Sequence, residues 1–518
     1  MAFRITYSVL DADLTELHRE FDAALAEVRG HLDGEYPSWI GHEPVRTGDY
    51  LESFNPSDTR QRVARFHQVT PGHLNRAFET AREAQHTWAR RPWQDRAALL
   101  RRAADLISAR RMRYAAIMSL EVGKSRLEAL GDVEESADLF RYYASQLEET
   151  NGFNKPLARL SPNEDTRSVL KPYGVFVVVS PFNFPMALAA GMTAGALLGG
   201  NAVLHKPSKE TPWVAECLRE ALHDAGLPAP LFQLIYGRGA VVGDALTLHP
   251  GVDGVAFTGS ADVGLRIFRG LVTDRVRPCL LELGGKNAAL VCASADLEKA
   301  VEGCYRSGFG LQGQKCSAMS RIYVHQSRVD EFRERLVARI AETVIGDPTR
   351  AEVFLGPVIN AAAVKTFERA AEEARRDGRI LAGGTRLVDG GLSHGHFVAP
   401  TLVEVPDGHR LTREELFLPF VTLNSFETLR QGVEMSNAAD YGLTGGIFSE
   451  DEAELDYFFN EVEAGVLYSN RKTGATTGAW PGVQTFCGWK RSGATGKGGC
   501  GPYYVAQFMR EQSQTRML

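Results

Sequence analysis

The sequence predicts an α/β protein with a doubly wound parallel sheet, and three observations support this prediction. The chain has 518 residues, more than one hydrophobic core usually serves, so two or three folded units are expected. Residues 175–179 read V-F-V-V-V, a run typical of a strand buried on both faces of a sheet. Strand-like and helix-like segments then alternate, as they do where helices connect parallel strands.

The segment from Pro71 to Gln146 is predicted to be largely helical. Apolar residues recur three and four apart within it, for example at Ala97, Leu100 and Ala104 among arginines. That spacing places them on one face of a helix, which indicates an amphipathic layer that covers the sheet.

Two alternating units follow the helical segment. In the first, Thr211 and Pro212 are expected to supply the cap and the first position of a helix that Gly226 ends. The first unit has predicted strands at 175–179, 202–205, 231–236 and 255–257 and predicted helices at 213–225, 240–248 and 263–268. The second has predicted strands at 288–292 and 321–325 and predicted helices at 330–343 and 364–377. The tail at 493–518 is too short for its own core, so we expect it to pack on another segment or subunit.

The overall composition favours a small-molecule partner. Apolar residues make up 44% and charged residues 24%, close to a soluble globular average, and the formal charge is -6. This overall charge gives no basic footprint for nucleic acid, although it says nothing of local patches, so no nucleic-acid partner is expected. No apolar stretch approaches the roughly 20 residues that span a bilayer, so no membrane partner is expected.

The seven cysteines are thinly spread and contain no C-x-x-C pair. This pattern suits a reducing compartment and predicts neither a disulfide framework nor a metal site. The N-terminus lacks the basic start and apolar run of a signal peptide. We therefore expect a cytoplasmic protein.

One glycine-rich stretch presents a cysteine just before a predicted strand. Residues 308–321 read G-F-G-L-Q-G-Q-K-C-S-A-M-S-R. A single cysteine is more often a small buried apolar residue than a nucleophile. Here Lys315 and the backbone N–H groups are expected to favour a thiolate at Cys316, and Gly313 is expected to leave room for a substrate.

A carboxylate in a second motif, L-E-L-G-G-K-N at 281–287, complements this cysteine. Alone, Glu282 would most often be a solvated or paired side chain. Together the two stretches resemble the aldehyde dehydrogenase superfamily, in which a general base and a nucleophile occupy these motifs at this spacing. The resemblance implies that Cys316 attacks an aldehyde, that hydride leaves for a nicotinamide, and that Glu282 activates water to hydrolyse the thioester.

Further motifs in the expected family order assign more residues by resemblance. S-P-F-N-F-P at 180–185 resembles the segment whose asparagine, here Asn183, donates to the oxyanion. H-K-P-S-K-E-T-P at 205–212 places Lys206 at the cofactor ribose, with Ser208 and Lys209 beside it.

Two later motifs complete the implied cofactor site. F-T-G-S-A-D-V-G at 257–264 places Gly259 and Ser260 near the pyrophosphate. E-E-L-F-L-P at 414–419 places Glu415 on the nicotinamide ribose and Phe417 by the ring, although Leu418 replaces the family's glycine. G-R-G-A-V-V-G at 237–243 departs from the usual dinucleotide fingerprint, and we interpret it as a turn and helix start.

The family resemblance also implies an architecture and partners. It implies a dinucleotide-binding domain at 1–153 and 173–284, a second α/β catalytic domain at 285–484, and a small bridging and oligomerisation extension at 154–172 and 485–518. The cofactor would be NAD or NADP, and the protein would form a homo-oligomer.

The choice between NAD and NADP depends on Lys209. NAD-preferring relatives commonly carry a glutamate there, which repels a 2′-phosphate, whereas a lysine attracts one. We therefore expect NADP to be accepted. The alternative is that Lys209 faces solvent and that NAD is favoured through Lys206 alone.

Finer features resemble the branch of the family that oxidises glutamate γ-semialdehyde, the open form of 1-pyrroline-5-carboxylate. G-Q-K-C-S-A-x-S-R is that branch's nucleophile loop, with Ser317 as a donor to the substrate carboxylate. E-V-G-K-S at 121–125 and D-V-E-E-S-A-D at 132–138 resemble its helix, which would carry Glu135 to the substrate amine. Phe184 is assigned to the substrate pocket on the same basis.

The branch's anchor loop has a counterpart in N-R-K at 470–472 and T-G-A-W-P-G-V-Q-T-F after it. By resemblance, backbone N–H groups near Gly478 and Ala479 bind the α-carboxylate, and Phe486 packs on the aliphatic part. This region is about three residues longer than the familiar form, and Cys487 stands where a glycine is usual. We interpret Cys487 as an apolar filler.

Other activities within the fold remain as alternatives. The substrate could be another semialdehyde or a general aliphatic aldehyde. A coenzyme A-acylating member would need no water-activating base, and a non-catalytic member would have lost Cys316 or Glu282, so the presence of both favours hydrolytic aldehyde oxidation.

Overall fold

The computed structural model describes residues 14–272, 275–472 and 480–518. Its N-terminal part contains five helices and seven short strands before the first large sheet. The helices are α1 (Thr15–Arg29), α2 (Leu74–Arg90), α3 (Trp93–Ala109), α4 (Arg111–Val122) and α5 (Arg126–Glu149). The strands are β1 (Gly34–Tyr36), β2 (Ser38–Ile40), β3 (Glu43–Val45), β4 (Tyr50–Phe54), β5 (Arg62–His67), β6 (Asn154–Pro156) and β7 (Glu164–Pro172). The helical region predicted from periodicity is confirmed, and it buries Ala97, Leu100 and Ala104.

The first large sheet has five parallel strands. They are β8 (Val175–Val179), β9 (Ala202–Lys206), β10 (Phe232–Leu234), β11 (Gly254–Thr258) and β12 (Cys279–Glu282), in the order β10-β9-β8-β11-β12. The accompanying helices are α6 (Ala187–Leu198), α7 (Pro212–Asp224), α8 (Asp244–Thr247) and α9 (Ala261–Leu271). The order reverses between β8 and β11, and ligands of open α/β sheets bind at such a switch point.

Helix α7 begins at Pro212 as predicted, but its cap differs from the prediction. The Thr211 side chain makes no capping hydrogen bond, and its hydroxyl has no partner among the described residues. Instead the buried carboxylate of Glu121 accepts hydrogen bonds from Trp213 N and Val214 N, each at 3.0 Å. A side chain from α4 therefore satisfies the first N–H groups of α7.

The second large sheet has seven strands, all parallel to their neighbours except the first pair. In chain order its elements are β13 (Asn287–Val291), α10 (Leu297–Phe309), β14 (Met319–His325), α11 (Val329–Ala341), α12 (Ala361–Asp377), β15 (Arg379–Ala382), β16 (Thr401–Glu404), α13 (Arg410–Arg413), β17 (Phe420–Phe426), α14 (Leu429–Asn437), β18 (Tyr441–Gly442), β19 (Thr444–Phe448), α15 (Glu452–Glu461) and β20 (Val466–Ser469). The sheet order is β15-β16-β17-β14-β13-β19-β20, and β18 lies outside it. The α/β fold class with two alternating units is confirmed, whereas the exact domain boundaries stay a prediction.

The C-terminal segment packs on an earlier part of the chain. After β21 (Trp489–Lys490), strand β22 (Met509–Met517) pairs antiparallel with β7, and the three-stranded order is β22-β7-β6. Beyond Met509 the residues of β22 are exposed. The tail thus forms the outer strand of a small sheet that stands apart from both large ones.

Among the residues that the structure describes, no helix combines the length and the apolar character needed to cross a bilayer.

Candidate active site

Cys316 lies in a tight loop between a 3₁₀ turn at Gly310–Gly313 and strand β14. Leu311, Gln312 and Gly313 all have positive φ, at 48°, 56° and 64°. A Cβ on Gly313 would lie 2.1 Å from the Leu418 carbonyl oxygen, so glycine is needed there for close packing. Glycine at position 313 is therefore explained by packing against Leu418, and not, as expected, by room for a substrate.

Lys315 forms an ion pair with another residue, contrary to the expectation that its charge favours a thiolate at Cys316. Its Nζ lies 2.7 Å from Oε1 of Glu128 on α5. Burial, together with the nearby carboxylates of Glu415 and Glu282, raises the pKa of the Cys316 thiol to about 12. The protein therefore holds Cys316 as a thiol, and attack on an aldehyde requires a base to take its proton.

Glu282 occupies the last position of β12 and is suited to act as that base. Burial raises the pKa of its carboxyl to about 8, while a hydrogen bond from the Gly499 backbone opposes the shift. Its Oε2 is buried and has no hydrogen-bond partner among the described residues. A carboxyl with a pKa in this range can both accept and release a proton near neutral pH.

Cys316 and Glu282 line the same cavity. Four other predicted residues share its lining: Glu135, Phe184, Ser317 and Phe486. The structure thus brings together six of the predicted catalytic and substrate residues, which come from widely separated motifs.

Part of the cavity wall was missed by sequence reasoning. Tyr143 of α5 lines it, as do Gly499, Cys500 and Tyr504 from the C-terminal segment. Tyr143 Oη accepts a hydrogen bond from Cys500 N at 2.9 Å, which ties this segment to α5. Only the glycine-rich character of the tail indicated a close approach of backbone there.

Asn183 lies in the turn between β8 and α6, next to the lining residue Phe184. It is buried, and its backbone carbonyl accepts a hydrogen bond from Lys124 Nζ at 2.9 Å. Asn183 is not itself among the residues that line the cavity. Its role as an oxyanion donor therefore stays a prediction.

Gly478 and Ala479 lie outside the described residues, so their predicted part in binding the α-carboxylate stays a prediction.

Lys206 ends β9 at the carboxyl edge of the first sheet, and its side chain is buried. Its Nζ donates to Pro207 O at 3.1 Å, and burial lowers its pKa to about 8. A Cβ on Gly243 would lie 3.8 Å from Lys206 Cε, so the 237–243 segment borders this lysine. A buried ammonium without a carboxylate partner among the described residues fits a ribose hydroxyl.

Glu415 is held close to the glycines that follow Glu282. Its Oε1 accepts a hydrogen bond from Gly285 N at 2.9 Å, and a Cβ on Gly284 would lie 2.0 Å from Oε2. Burial raises the pKa of Glu415 to about 7. Ribose hydroxyls could donate to such a carboxylate, so Glu415 fits its implied role.

The E-E-L-F-L-P segment needs no glycine at Leu418. The positive φ in this segment belongs to Phe417, at 59°, and Leu418 is buried. The Phe417 ring packs edge-to-face on Phe182 with centroids 5.7 Å apart. The departure from the family pattern is therefore accommodated by the backbone.

The remaining predicted cofactor residues lie at helix starts and strand ends of the first sheet. Ser260 is the N-cap of α9, and its side chain makes no capping hydrogen bond. Gly259 N donates to Glu282 O at 3.1 Å, which links this turn to the base. Ser208 Oγ accepts from Glu210 N at 3.2 Å, and Lys209 Nζ lies 3.0 Å from Glu210 Oε1.

These features define a class of enzyme. The doubly wound sheet carries a helix N-terminus at α9 and the buried Lys206, features that suit a dinucleotide. Beside it, a cysteine thiol and a carboxyl with a raised pKa share one cavity. Such a site suits a dehydrogenase that works through a covalent thioester.

Comparison with known proteins identifies the family. The model of the aldehyde dehydrogenase family matches residues 44–513, so the chain belongs to that family. A 1-pyrroline-5-carboxylate dehydrogenase of Geobacillus thermodenitrificans is 37% identical over 506 residues, covering 96% of each chain. The predicted family, enzyme class and similarity to this branch are confirmed.

Solved structures agree with the sequence comparison. The 1-pyrroline-5-carboxylate dehydrogenase from Thermus with bound NAD superimposes with a TM-score of 0.93 at 33% identity, covering 100% of this chain and 99% of that one. Betaine aldehyde dehydrogenase from Staphylococcus aureus in complex with NAD⁺ gives a TM-score of 0.88 at 28% identity, covering 94% and 95%. Both comparisons extend over both large sheets.

Proposed function

We propose that this enzyme oxidises L-glutamate γ-semialdehyde, the open form of 1-pyrroline-5-carboxylate, to L-glutamate in proline catabolism. The observation that carries the proposal is the single cavity in which Cys316 and Glu282 meet Ser317 and Glu135. Relatives at 35–37% identity over nearly the whole chain bear the name of this activity. The substrate is a small molecule.

The chemistry follows from the protonation states of the two central groups. In the attack, the Cys316 Sγ forms a bond to the aldehyde carbon while Glu282 takes the thiol proton. Asn183 and the Cys316 backbone N–H donate to the resulting oxyanion, and one such donor is typically worth about 2.7–4 kcal/mol of barrier. NAD or NADP, when bound, supplies the hydride acceptor.

The second half of the reaction belongs to Glu282. The acyl group is then held on Cys316 as a thioester. After releasing the thiol proton to solvent, Glu282 takes a proton from water as the water oxygen attacks the thioester carbon. It then returns that proton to the Cys316 sulfur as the C–S bond breaks, which leaves a carboxylic acid and the thiol. A carboxyl with a pKa of about 8 is partly ionised at neutral pH, so it can serve in this step.

The cavity wall explains how an amino-acid aldehyde would be preferred. Phe184 and Phe486 offer apolar surface for the two methylene groups of the substrate, while Ser317 and Glu135 offer polar groups to the carboxylate and the amine. Charged groups lose free energy on leaving water unless such partners await them. Simple alkyl aldehydes would leave those partners unmatched.

The setting and assembly of the enzyme form the rest of the proposal. All seven cysteines are free thiols, which suits the reducing cytoplasm. Strand β22 is an exposed edge strand of nine residues, and such edges are usually covered. We propose that a second copy of the chain covers it, giving a homo-oligomer.

A substrate comparison tests the proposed activity. The specificity constant for glutamate semialdehyde should exceed that for pentanal by at least about a hundredfold, the scale of roughly two charge-assisted hydrogen bonds. Ser317→Ala should narrow this gap by weakening the amino-acid substrate and sparing pentanal. Equal wild-type specificity constants for the two aldehydes would reject the substrate assignment and leave aldehyde oxidation intact.

A further inference from the structure

Helix α5 carries three carboxylates on one face. Glu128, Asp132 and Glu135 are spaced four and three residues apart, which places them in a row along a helix. Glu135 lines the catalytic cavity. The other two carboxylates contact loops that hold the reacting groups.

Glu128 is bonded to the nucleophile loop, which we define as residues 310–317. Its Oε1 lies 2.7 Å from Nζ of Lys315, the residue directly before Cys316. The lysine side chain is 4% exposed and the glutamate side chain 19%, so solvent screens the pair only weakly. A Cβ on Gly310 would lie 3.3 Å from both charged atoms, so the pair also packs on the start of the loop.

Asp132 is linked through Lys124 to the turn that carries Asn183, defined here as residues 180–186. Its Oδ2 accepts from Lys124 Nζ at 2.9 Å, and the same Nζ donates to Asn183 O at 2.9 Å. The Lys124 Nζ also lies 3.8 Å from the centroid of the Phe184 ring.

The second oxygen of Asp132 completes this attachment. Oδ1 accepts a hydrogen bond from Ala187 N at 2.7 Å, at the first residue of α6. The Lys124 and Asp132 side chains are both fully buried. Bonds to charged groups in such surroundings are strong and tightly oriented.

We propose that Lys124, Glu128 and Asp132 are positioning residues that hold the nucleophile loop and the Asn183 turn in fixed register on one rigid helix. The inference rests on the proposed roles of Cys316 and Asn183. An aldehyde carbon must meet Sγ while its oxygen meets the amide donor, and a displacement of about 1 Å can cost a hundredfold in rate. The nucleophile loop and the Asn183 turn can be held this accurately because both are attached to residues of α5.

The test measures the rate constant of the first burst of reduced cofactor by stopped flow. Glu128→Leu should lower this rate constant roughly tenfold to a hundredfold, with full burst amplitude and an unchanged cofactor dissociation constant. Glu128→Gln keeps an oxygen acceptor and should fall between Glu128→Leu and wild type. Lys315→Met should reproduce the loss, and combining it with Glu128→Leu should add little, because the two residues act as a pair.

The matched control removes a carboxylate from the far end of the same helix. Glu148 pairs with Arg101 at 2.7 Å on the surface, so Glu148→Gln should leave the burst unchanged. An unchanged burst rate constant in Glu128→Leu overturns the proposal. Loss of amplitude at a wild-type rate constant also overturns it, since that result means only fewer folded sites.

Failure of the underlying function gives a different result. If wild-type enzyme in excess over the aldehyde forms no reduced cofactor in a single turnover with any aldehyde, the proposed dehydrogenase function is wrong. If wild type shows a burst with pentanal and glutamate semialdehyde alike, only the substrate assignment fails, and the Glu128 comparison can be made with either aldehyde.

The fully buried pair of Lys124 and Asp132 is tested through Asp132→Asn, which keeps the acceptor for Ala187 N and should slow the burst at full amplitude. A wild-type rate constant in this variant would exclude Asp132 from the positioning set.

Discussion

Replacing Glu282 with glutamine separates the two halves of the reaction. The variant should still form the thioester, at a reduced rate because the Cys316 proton must then pass to solvent, and should hydrolyse it more slowly still, because the amide cannot take a proton from water. A burst of reduced cofactor should therefore be followed by a slow steady state. In wild type the steady-state rate, where hydrolysis limits it, should depend on the ionised fraction of Glu282.

The raised pKa sets the size of that dependence. Burial favours the neutral carboxyl, so the active carboxylate is gained as pH rises through about 8. About a tenth of Glu282 is ionised at pH 7 and about nine-tenths at pH 9, which predicts a roughly tenfold rise in the hydrolysis rate. Glu282→Gln should lack this rise.

The assay is stopped-flow detection of reduced cofactor under saturating aldehyde, repeated from about pH 6.5 to pH 9. Glu134→Gln serves as a control, because burial also raises the pKa of Glu134 but its carboxylate contacts Ser108 and not the cavity. A flat wild-type profile would refute the assignment of the titrating base. A missing burst in Glu282→Gln would show instead that Glu282 is indispensable for the attack by Cys316.

Two further substitutions test the nucleophile and the choice of cofactor. Cys316→Ala should abolish aldehyde oxidation while dinucleotide binding, measured by calorimetry, persists; turnover above a trace would reject the covalent mechanism. Lys209→Glu should raise the NAD-to-NADP ratio of specificity constants about tenfold, the effect of one charge-assisted hydrogen bond of about 1.4 kcal/mol. The Lys209 side chain is 60% exposed, and its ion pair with Glu210, at 3.0 Å, is open to solvent. Such an exposed pair is weak, so the lysine can turn toward a 2′-phosphate. An unchanged ratio would mean that Lys209 does not read the phosphate.

The elements that the sequence predicts best are those set by local pattern. Helices α2 to α5 carry apolar residues at helical spacing, and β8 is an uninterrupted β-branched and aromatic run. In both cases the pattern of apolar residues reflects which faces of the element are buried, so the predicted element is found in the folded chain. Capping groups are harder to predict than helix positions, because they can come from a distant part of the chain. The cap of α7 comes from Glu121, about ninety residues before it.

The candidate site could be predicted only in part for a similar reason. Its reactive residues lie in short motifs, whereas the cavity wall combines α5, the turn after β8 and the C-terminal segment. Tyr143 and Cys500 meet there although 357 positions separate them. No local pattern records such a contact, because it depends on how the tail returns over the first sheet.

The protonation state of Cys316 depends on contacts that the sequence does not reveal. From sequence, Lys315 next to Cys316 predicts a stabilised thiolate, but in the fold that lysine pairs with Glu128 and two carboxylates face the thiol instead. Cys316 is therefore held as the thiol, which is a poorer nucleophile than the thiolate. Glu282 assists its activation, and the pKa of Glu282 is itself raised by the same burial. Nucleophile and base are thus coupled through the shared low-dielectric cavity, and a change that opens this cavity to water would lower the pKa of both.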